Sequence, residues 1–315
     1  MHLARVGHEA FLWARDASLV DDMQSRRANA VYLPDVRFPE GLRVSADLGE
    51  SLHAAQLVVW AVPSHGTRAI LRRAAAGIAS DAVVVSATKG LEQETLFRVS
   101  EIIGQELSPS AHIAVLSGPS FAAEFARKLP TAVSVASSDA AVVARVQAEF
   151  RAPYFRLYGT DDVVGVEMGG AIKNVIAIAA GVAEGLGLGH NALAGLITRG
   201  LAEISRLACA AGAKRETLAG LTGLGDLVLT CTGALSRNRH VGVELARGRP
   251  LQDILAGMKM VAEGVRTTDA ALALAARHGV ELPIATQVAH LLAGRKDART
   301  ALEELMLRPQ RAEAG

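Results

Sequence analysis

Two cysteines, with no C-x-x-C spacing, are all the thiol chemistry this sequence contains, which excludes a disulfide framework and a thiolate metal site. Cys209 and Cys231 have apolar neighbours and read as reduced core residues of a cytoplasmic protein. The nine histidines form no H-x-x-x-H or similar cluster, so no resident metal is expected. An excess of either charge is also missing. The 33 Lys and Arg nearly balance the 32 Asp and Glu, for a net +1, and this gives no footprint for nucleic acid or an anionic membrane. No apolar run of roughly 18 residues escapes interruption by charge or glycine, so no membrane insertion is expected. The N-terminal stretch MHLARVGHEAFLWARD lacks a signal-peptide layout. What remains is an ordinary globular composition, 50% hydrophobic and 21% charged. Its 315 residues suffice for two domains with separate cores.

The two halves follow different periods. In the first, AFLWA (10–14), LVVWAV (57–62), VVVSA (83–87), IAVLS (113–117) and TAVSVAS (131–137) read as buried strands separated by segments of helical length. This is the pattern of βαβ units and a parallel sheet. After residue 161 the strand runs stop. A helix is expected from an Asn191 cap to Gly212, another over 268–279, and a third over 283–294 with proline at its start and glycine at its end. The chain therefore divides into an α/β domain, 1–157, and an all-helical domain, 158–315.

The segment GGAIKNVIAIAAG (169–181) sets one lysine in a run of small and apolar residues. On a buried helix Lys173 shares a face with Gly169, Gly170, Ile176 and Ala177. Each glycine costs a helix roughly 1 kcal/mol relative to alanine, so the pair is read as room for another molecule beside the ammonium. Burial would lower the lysine pKa towards neutrality. The alternative is a lysine that reaches the surface along its own stem.

Ligands of a parallel sheet bind beyond the carboxyl ends of its strands. Here those ends carry Arg15-Asp16, Pro63-Ser64-His65-Gly66, Thr88-Lys89-Gly90 and SGPS (117–120). Loop chemistry alone explains the glycines, serines and prolines; it explains Lys89 poorly. In the helical half, Asp226 and Thr230 are four residues apart and share a face of a helix opening near Gly225. Asp226 there either serves a ligand or merely favours the helix dipole. SRNR (236–239) gathers donors suited to phosphate with no acidic neighbour. Its alternative is a solvated loop.

Together these blocks resemble bacterial NAD(P)-dependent glycerol-3-phosphate dehydrogenases. VPSH (62–65), ATKGLE (87–92), SGPSFAAE (117–124), GGAIKNVIAIAAG (169–181), LITRGLAE (196–203), GLGDLVLTCT (223–232), SRNR (236–239) and VAEGVRT (261–267) occur in the family's order. They cover nearly the whole chain. The resemblance implies an α/β Rossmann-like, doubly wound parallel-sheet domain followed by a helical substrate domain. It implies NAD or NADP as cofactor, and reversible hydride transfer between NAD(P)H and dihydroxyacetone phosphate, giving sn-glycerol 3-phosphate for phospholipid synthesis. It leaves room for a homodimer. By the family's pattern Lys173 is the acid–base catalyst and Lys89 touches both cofactor and substrate. Gly118, Ser120, Asp226, Ser236, Arg237 and Asn238 fall at substrate positions, and Ala122, Arg237, Val261 and Glu263 at cofactor positions. Arg15 lies where an arginine meets the 2′-phosphate of NADP. Asn174 and Thr230 are further candidates for holding the lysine and the substrate hydroxyls.

One departure from the pattern stands out. The family opens with a strand and a G-x-G-x-x-G turn that cradles the pyrophosphate, and this sequence holds neither. Its first residues read as the second half of the helix after that turn. The strand in question is central, so its absence should leave two strand edges unpaired within the domain. The expectation is a longer parent cut or misread at an internal methionine; the alternative is a genuine product with impaired cofactor binding. Two readings compete on function: another two-domain dehydrogenase of the 3-hydroxyacid or 6-phosphogluconate type, and a non-catalytic truncated paralogue. GDLVLTCT (225–232) followed by SRNR argues against the first of these.

Overall fold

The computed structural model describes residues 1–107, 111–258, 260–310 and 312. The first half contains α1 (His2–Arg5), β1 (Ala10–Trp13), α2 (Ala17–Arg26), β2 (Ala28–Asn29), β3 (Leu33–Arg37), β4 (Leu42–Ser45) and α3 (Leu48–Leu52). It continues through β5 (Leu57–Trp60), α4 (Ser64–Ala74), β6 (Val83–Ser86), α5 (Val99–Glu106), β7 (His112–Ser117), α6 (Ala122–Ala126), β8 (Thr131–Ala136), α7 (Ala140–Glu149) and β9 (Phe155–Thr160). The five apolar runs of the sequence all form strands.

The main sheet has the order β5-β6-β7-β8-β9. Its pairs are parallel except β7–β8, which is antiparallel, a departure from the all-parallel sheet expected. Side chains of successive strand residues point to opposite faces, and β6 shows the consequence. Val83 and Val85 pack with Val142 and Val146 of α7, while Val84 packs with Leu71 of α4 and Ile102 of α5. Helices thus cover both faces, as in a doubly wound domain. β1 pairs in parallel with β4 in a separate two-stranded sheet, with a small core of Val20, Met23, Phe38, Leu42 and Val44. β1 is not bonded to β5, so the interruption expected between them is present.

The helical half consists of α8 (Val163–Gly185), α9 (Gly189–Ala210), α10 (Arg215–Leu218), a π-helical turn (Leu221–Gly225), α11 (Asp226–Thr232), α12 (Arg237–Ala246), α13 (Leu251–Ala256), α14 (Glu263–His278), α15 (Pro283–Leu292) and α16 (Ala298–Met306). The boundary expected after residue 157 falls inside β9, and Asp161 and Asp162 join β9 to α8. α9 begins at Gly189 with no side-chain cap, so Asn191 is an internal residue and not the cap expected. α14 starts at Glu263, before the expected 268, and ends on Gly279 at φ 66.

α8 organises this half. Eighteen of its residues, including Ile172, Val175, Ile176 and Ile178, are buried, and α9, α11, α12, α14 and α15 pack around it. It is long and apolar enough to cross a membrane, yet 83% of its most apolar window is buried within the protein. Cys231 lies in this core, but Cys209 is exposed on α9, against expectation: it sits on the solvent side of a turn whose Leu207 and Ala208 are buried.

Candidate active site

Lys173 projects from the middle of α8 and is 5% exposed, so it does not reach the surface along its stem. Its Nζ donates to Asp226 Oδ1 and, at 2.6 Å, to Thr230 Oγ1. Asp226, 1% exposed, opens α11 directly after the π-helical turn. The next helical turn puts Thr230 on the same face, where its hydroxyl donates to the Asp226 carbonyl at 2.6 Å. Asp226 therefore does more than favour the helix dipole. Its second oxygen, Oδ2, accepts from Lys89 Nζ at 2.6 Å, and Lys89 also donates to Gly118 O at 3.2 Å. Ser120 Oγ donates to the same carbonyl at 3.0 Å. One carboxylate thus holds two lysines, one from each half of the chain.

An ammonium has three N–H donors. Lys173 and Lys89 each use two on these partners, which leaves one N–H of each without a partner among the described residues. Burial lowers the Lys173 pKa, the like charge of Lys89 lowers it further, and Asp226 opposes both; the result is about 7. A lysine at that value can exchange protons near neutrality.

The glycines beside Lys173 do not leave the room expected of them. A side chain on Gly169 would meet Thr222 O at 3.0 Å, and one on Gly170 would meet Ser117 Oγ at 2.5 Å. The protein itself fills that space, drawing the end of β7 and the π-helical turn against α8. Ser117 Oγ is buried there without a hydrogen-bond partner. Sequence reading gave Ser117 no role of its own, because its burial beside α8 has no local signal.

A second network adjoins the first. Asn238 Nδ2 donates to Asn174 Oδ1 at 2.9 Å, and Gly264 N donates to Asn238 Oδ1 at 2.9 Å. This ties α8, α12 and α14 together next to Lys173. Glu263, the neighbour of Gly264, accepts from Ser64 Oγ at 3.0 Å, which joins the start of α14 to the start of α4. Desolvation raises the Glu263 pKa. SRNR is a helix start and not a loop: Ser236 caps α12 by accepting from Arg239 N at 3.2 Å. Arg239 pairs with Glu184 at 2.5 Å. Arg237 is exposed, makes no such pair among the described residues, and feels the charge of Glu263.

The residues fit one end of a dinucleotide. Ser64 and Lys89, beyond the ends of β5 and β6, and Glu263 at the start of α14 offer polar groups, and Ala122 and Val261 are exposed. Arg15 is exposed just beyond β1. Among the described residues Arg15, Ala122 and Val261 share no side-chain hydrogen bond with the lysine network. The sequence contains no G-x-G-x-x-G motif.

Comparison with known proteins gives this geometry its context. Residues 1–143 match the family described as NAD-dependent glycerol-3-phosphate dehydrogenase N-terminus, and residues 162–303 match its C-terminus. A glycerol-3-phosphate dehydrogenase (NAD(P)+) from Geobacter sp. (strain M21) is 51% identical over 255 residues, 80% of this chain and 76% of that protein. One from Myxococcus xanthus is 51% identical over 249 residues, 78% of this chain and 74% of that protein. The crystal structure of glycerol-3-phosphate dehydrogenase from Coxiella burnetii superposes with a TM-score of 0.93 at 40% identity, covering 98% of this chain and 94% of that one. With matching sequence in both halves and a matching fold throughout, the chain belongs to the NAD(P)-dependent glycerol-3-phosphate dehydrogenase family.

Proposed function

We propose that this chain catalyses reversible hydride transfer between NAD(P)H and dihydroxyacetone phosphate, giving sn-glycerol 3-phosphate, with Lys173 as its acid–base residue. The observation that carries this reading is the buried Lys173 ammonium, held by Asp226 and Thr230 with one N–H left over. When bound, the reduced nicotinamide supplies the hydride to the carbonyl carbon. Lys173 meets the charge that develops on the carbonyl oxygen and gives it a proton; in the oxidation direction the neutral amine takes that proton back. Asp226 keeps the amine in place in both states. Lys89 contributes its remaining N–H to the substrate from the opposite side of the carboxylate.

The substrate phosphate falls to the start of α12. Arg237 makes no hydrogen bond or ion pair with a described residue and feels only the charge of Glu263, Ser236 retains a hydroxyl hydrogen, and backbone N–H groups of the first helical turn add a positive end. Asn238 acts mainly through its two buried hydrogen bonds. Glu263, Val261, Ala122 and Arg15 belong to the cofactor side. The same reading places the enzyme in the cytoplasm, supplying glycerol phosphate for phospholipid synthesis.

Lys173→Ala tests the assignment. Turnover should fall at least about 100-fold, the scale for losing a positioned general acid, while the melting transition stays cooperative. Near-normal turnover in the folded variant would remove Lys173 from the mechanism.

A further inference from the structure

Lys89 lies on neither a helix nor a strand. It heads a strap, residues 89–98, that links β6 to α5. Two residues of the strap adopt left-handed backbone, Gly90 at φ 146 and Leu96 at φ 66. For leucine that conformation persists only where the surroundings impose it. A side chain on Gly90 would meet Ser64 Oγ at 2.7 Å. Within the strap Glu92 N donates to Phe97 O at 3.0 Å and Leu96 N to Glu92 O at 2.9 Å. Leu91 is buried in the core around α8, with Met168 and Ile172.

Two buried ion pairs grip the strap from outside. Arg68, one turn into α4, meets Glu92 with Nε at 2.8 Å and Nη2 at 2.6 Å. A two-point contact of this kind fixes orientation as well as distance. Thr95 Oγ1 adds a third donor to that carboxylate at 2.5 Å. At the far end Arg98 Nη1 donates to Glu167 of α8 at 2.7 Å, and Ser100 N donates to the same carboxylate at 2.8 Å. The Glu92 and Glu167 side chains are only 9% and 4% exposed. None of these residues bonds to Lys173, Asp226 or Lys89. What they share is the strap, and what the strap presents is Lys89, whose Nζ must reach both Gly118 O and Asp226 Oδ2.

We propose that Arg68 and Glu92 are positioning residues for substrate binding: their two-point ion pair sets the strap so that Lys89 aims its free N–H at the phosphorylated substrate. This rests on the proposed substrate contact of Lys89. Arg68 sits four residues beyond Ser64, which holds Glu263, so the first turns of α4 align Lys89 and the start of α14 together.

A merely structural ion pair and a positioning one differ in whether the effect needs Lys89. Glu92→Gln and Arg68→Lys are made in the parent and in a Lys89→Met background, and binding of sn-glycerol 3-phosphate is followed by calorimetry alongside thermal melts. With Lys89 present, each substitution should weaken binding about 10- to 100-fold, the cost of a misplaced contact. With Lys89 replaced, the same substitutions should change the remaining affinity less than about twofold, because coupled residues are not additive. Should Glu92→Gln melt below the assay temperature, Arg68→Lys makes the same comparison. Equal losses in both backgrounds would overturn the proposal in favour of a general role in the fold. Unchanged affinity with Lys89 present would overturn it as well. If Lys89→Met alone binds normally, the failure lies in the substrate role of Lys89, and the positioning role falls with it.

Discussion

Lys89 Nζ lies 2.6 Å from Asp226 Oδ2, although 137 residues separate the two. The other oxygen of that carboxylate is taken by Lys173. The arrangement neutralises only one of two ammonium groups in a buried site, so it favours release of a proton from one of them. Burial lowers the Lys173 pKa and the like charge of Lys89 lowers it further, to about 7.

A pH dependence of opposite sign in the two directions follows. With Lys173 as the proposed general acid, carbonyl reduction draws on its ammonium, so kcat/KM for dihydroxyacetone phosphate should fall as pH rises through about 7. Oxidation of sn-glycerol 3-phosphate needs the neutral amine and should gain over the same interval. Asp226 raises the lysine pKa, so Asp226→Asn should move both limbs to lower pH. Profiles that keep their midpoint in Asp226→Asn would separate the limb from Lys173.

Arg237→Ala should raise KM for dihydroxyacetone phosphate by at least about tenfold, as expected for a lost charged hydrogen bond of ~1.5–3 kcal/mol. Arg237 is exposed at the first residue of α12 and forms no ion pair with a described residue, so the fold should not suffer. Turnover of dihydroxyacetone, which has no phosphate, should change little. Equal losses for the two substrates would assign Arg237 to the cofactor or to the domain junction.

How much of this was legible in the sequence depended on range. Val83–Ser86 is buried on both faces and Thr131–Ala136 is a partly to fully buried apolar run, so both announced themselves as strands. Leu42–Ser45 carries an arginine, and Phe155–Thr160 mixes exposed with buried positions at the sheet edge; neither reads as a core strand. Lys173 and Asp226 were each visible as an anomaly within a local pattern, and the resemblance placed them in one site. Their contact is tertiary, and so is the Arg68–Glu92 pair, for which no spacing rule exists. Gly169 and Gly170 showed where something must come close to α8, but not that the neighbour would be the protein's own β7 and π-helical turn.

Glu203 offers a prediction about stability. It is 4% exposed on α9 and accepts from Ile284 N at 2.7 Å and Ala285 N at 3.3 Å, capping the first turn of α15, whose Pro283 has no N–H to offer. Burial raises its pKa to about 7, against these two backbone donors. Between its ordinary value of 4.5 and about 7 the folded protein therefore holds more protons than the unfolded chain. The Glu203 contribution to stability is then fully present below about pH 4.5 and is lost as pH rises towards 7. From about pH 5 to about pH 7 the loss amounts to about 2 kcal/mol. Lys173 acts with the opposite sign and in another window: its lowered pKa makes stability rise with pH between about 7 and its ordinary 10.5. Glu203→Gln keeps a cap acceptor and removes the titration, so its unfolding free energy should fall less across the lower window than that of the parent. Denaturant unfolding of both forms at about pH 5 and about pH 7 measures the difference. Parallel pH slopes would show that the Glu203 carboxyl does not take up its proton in that range.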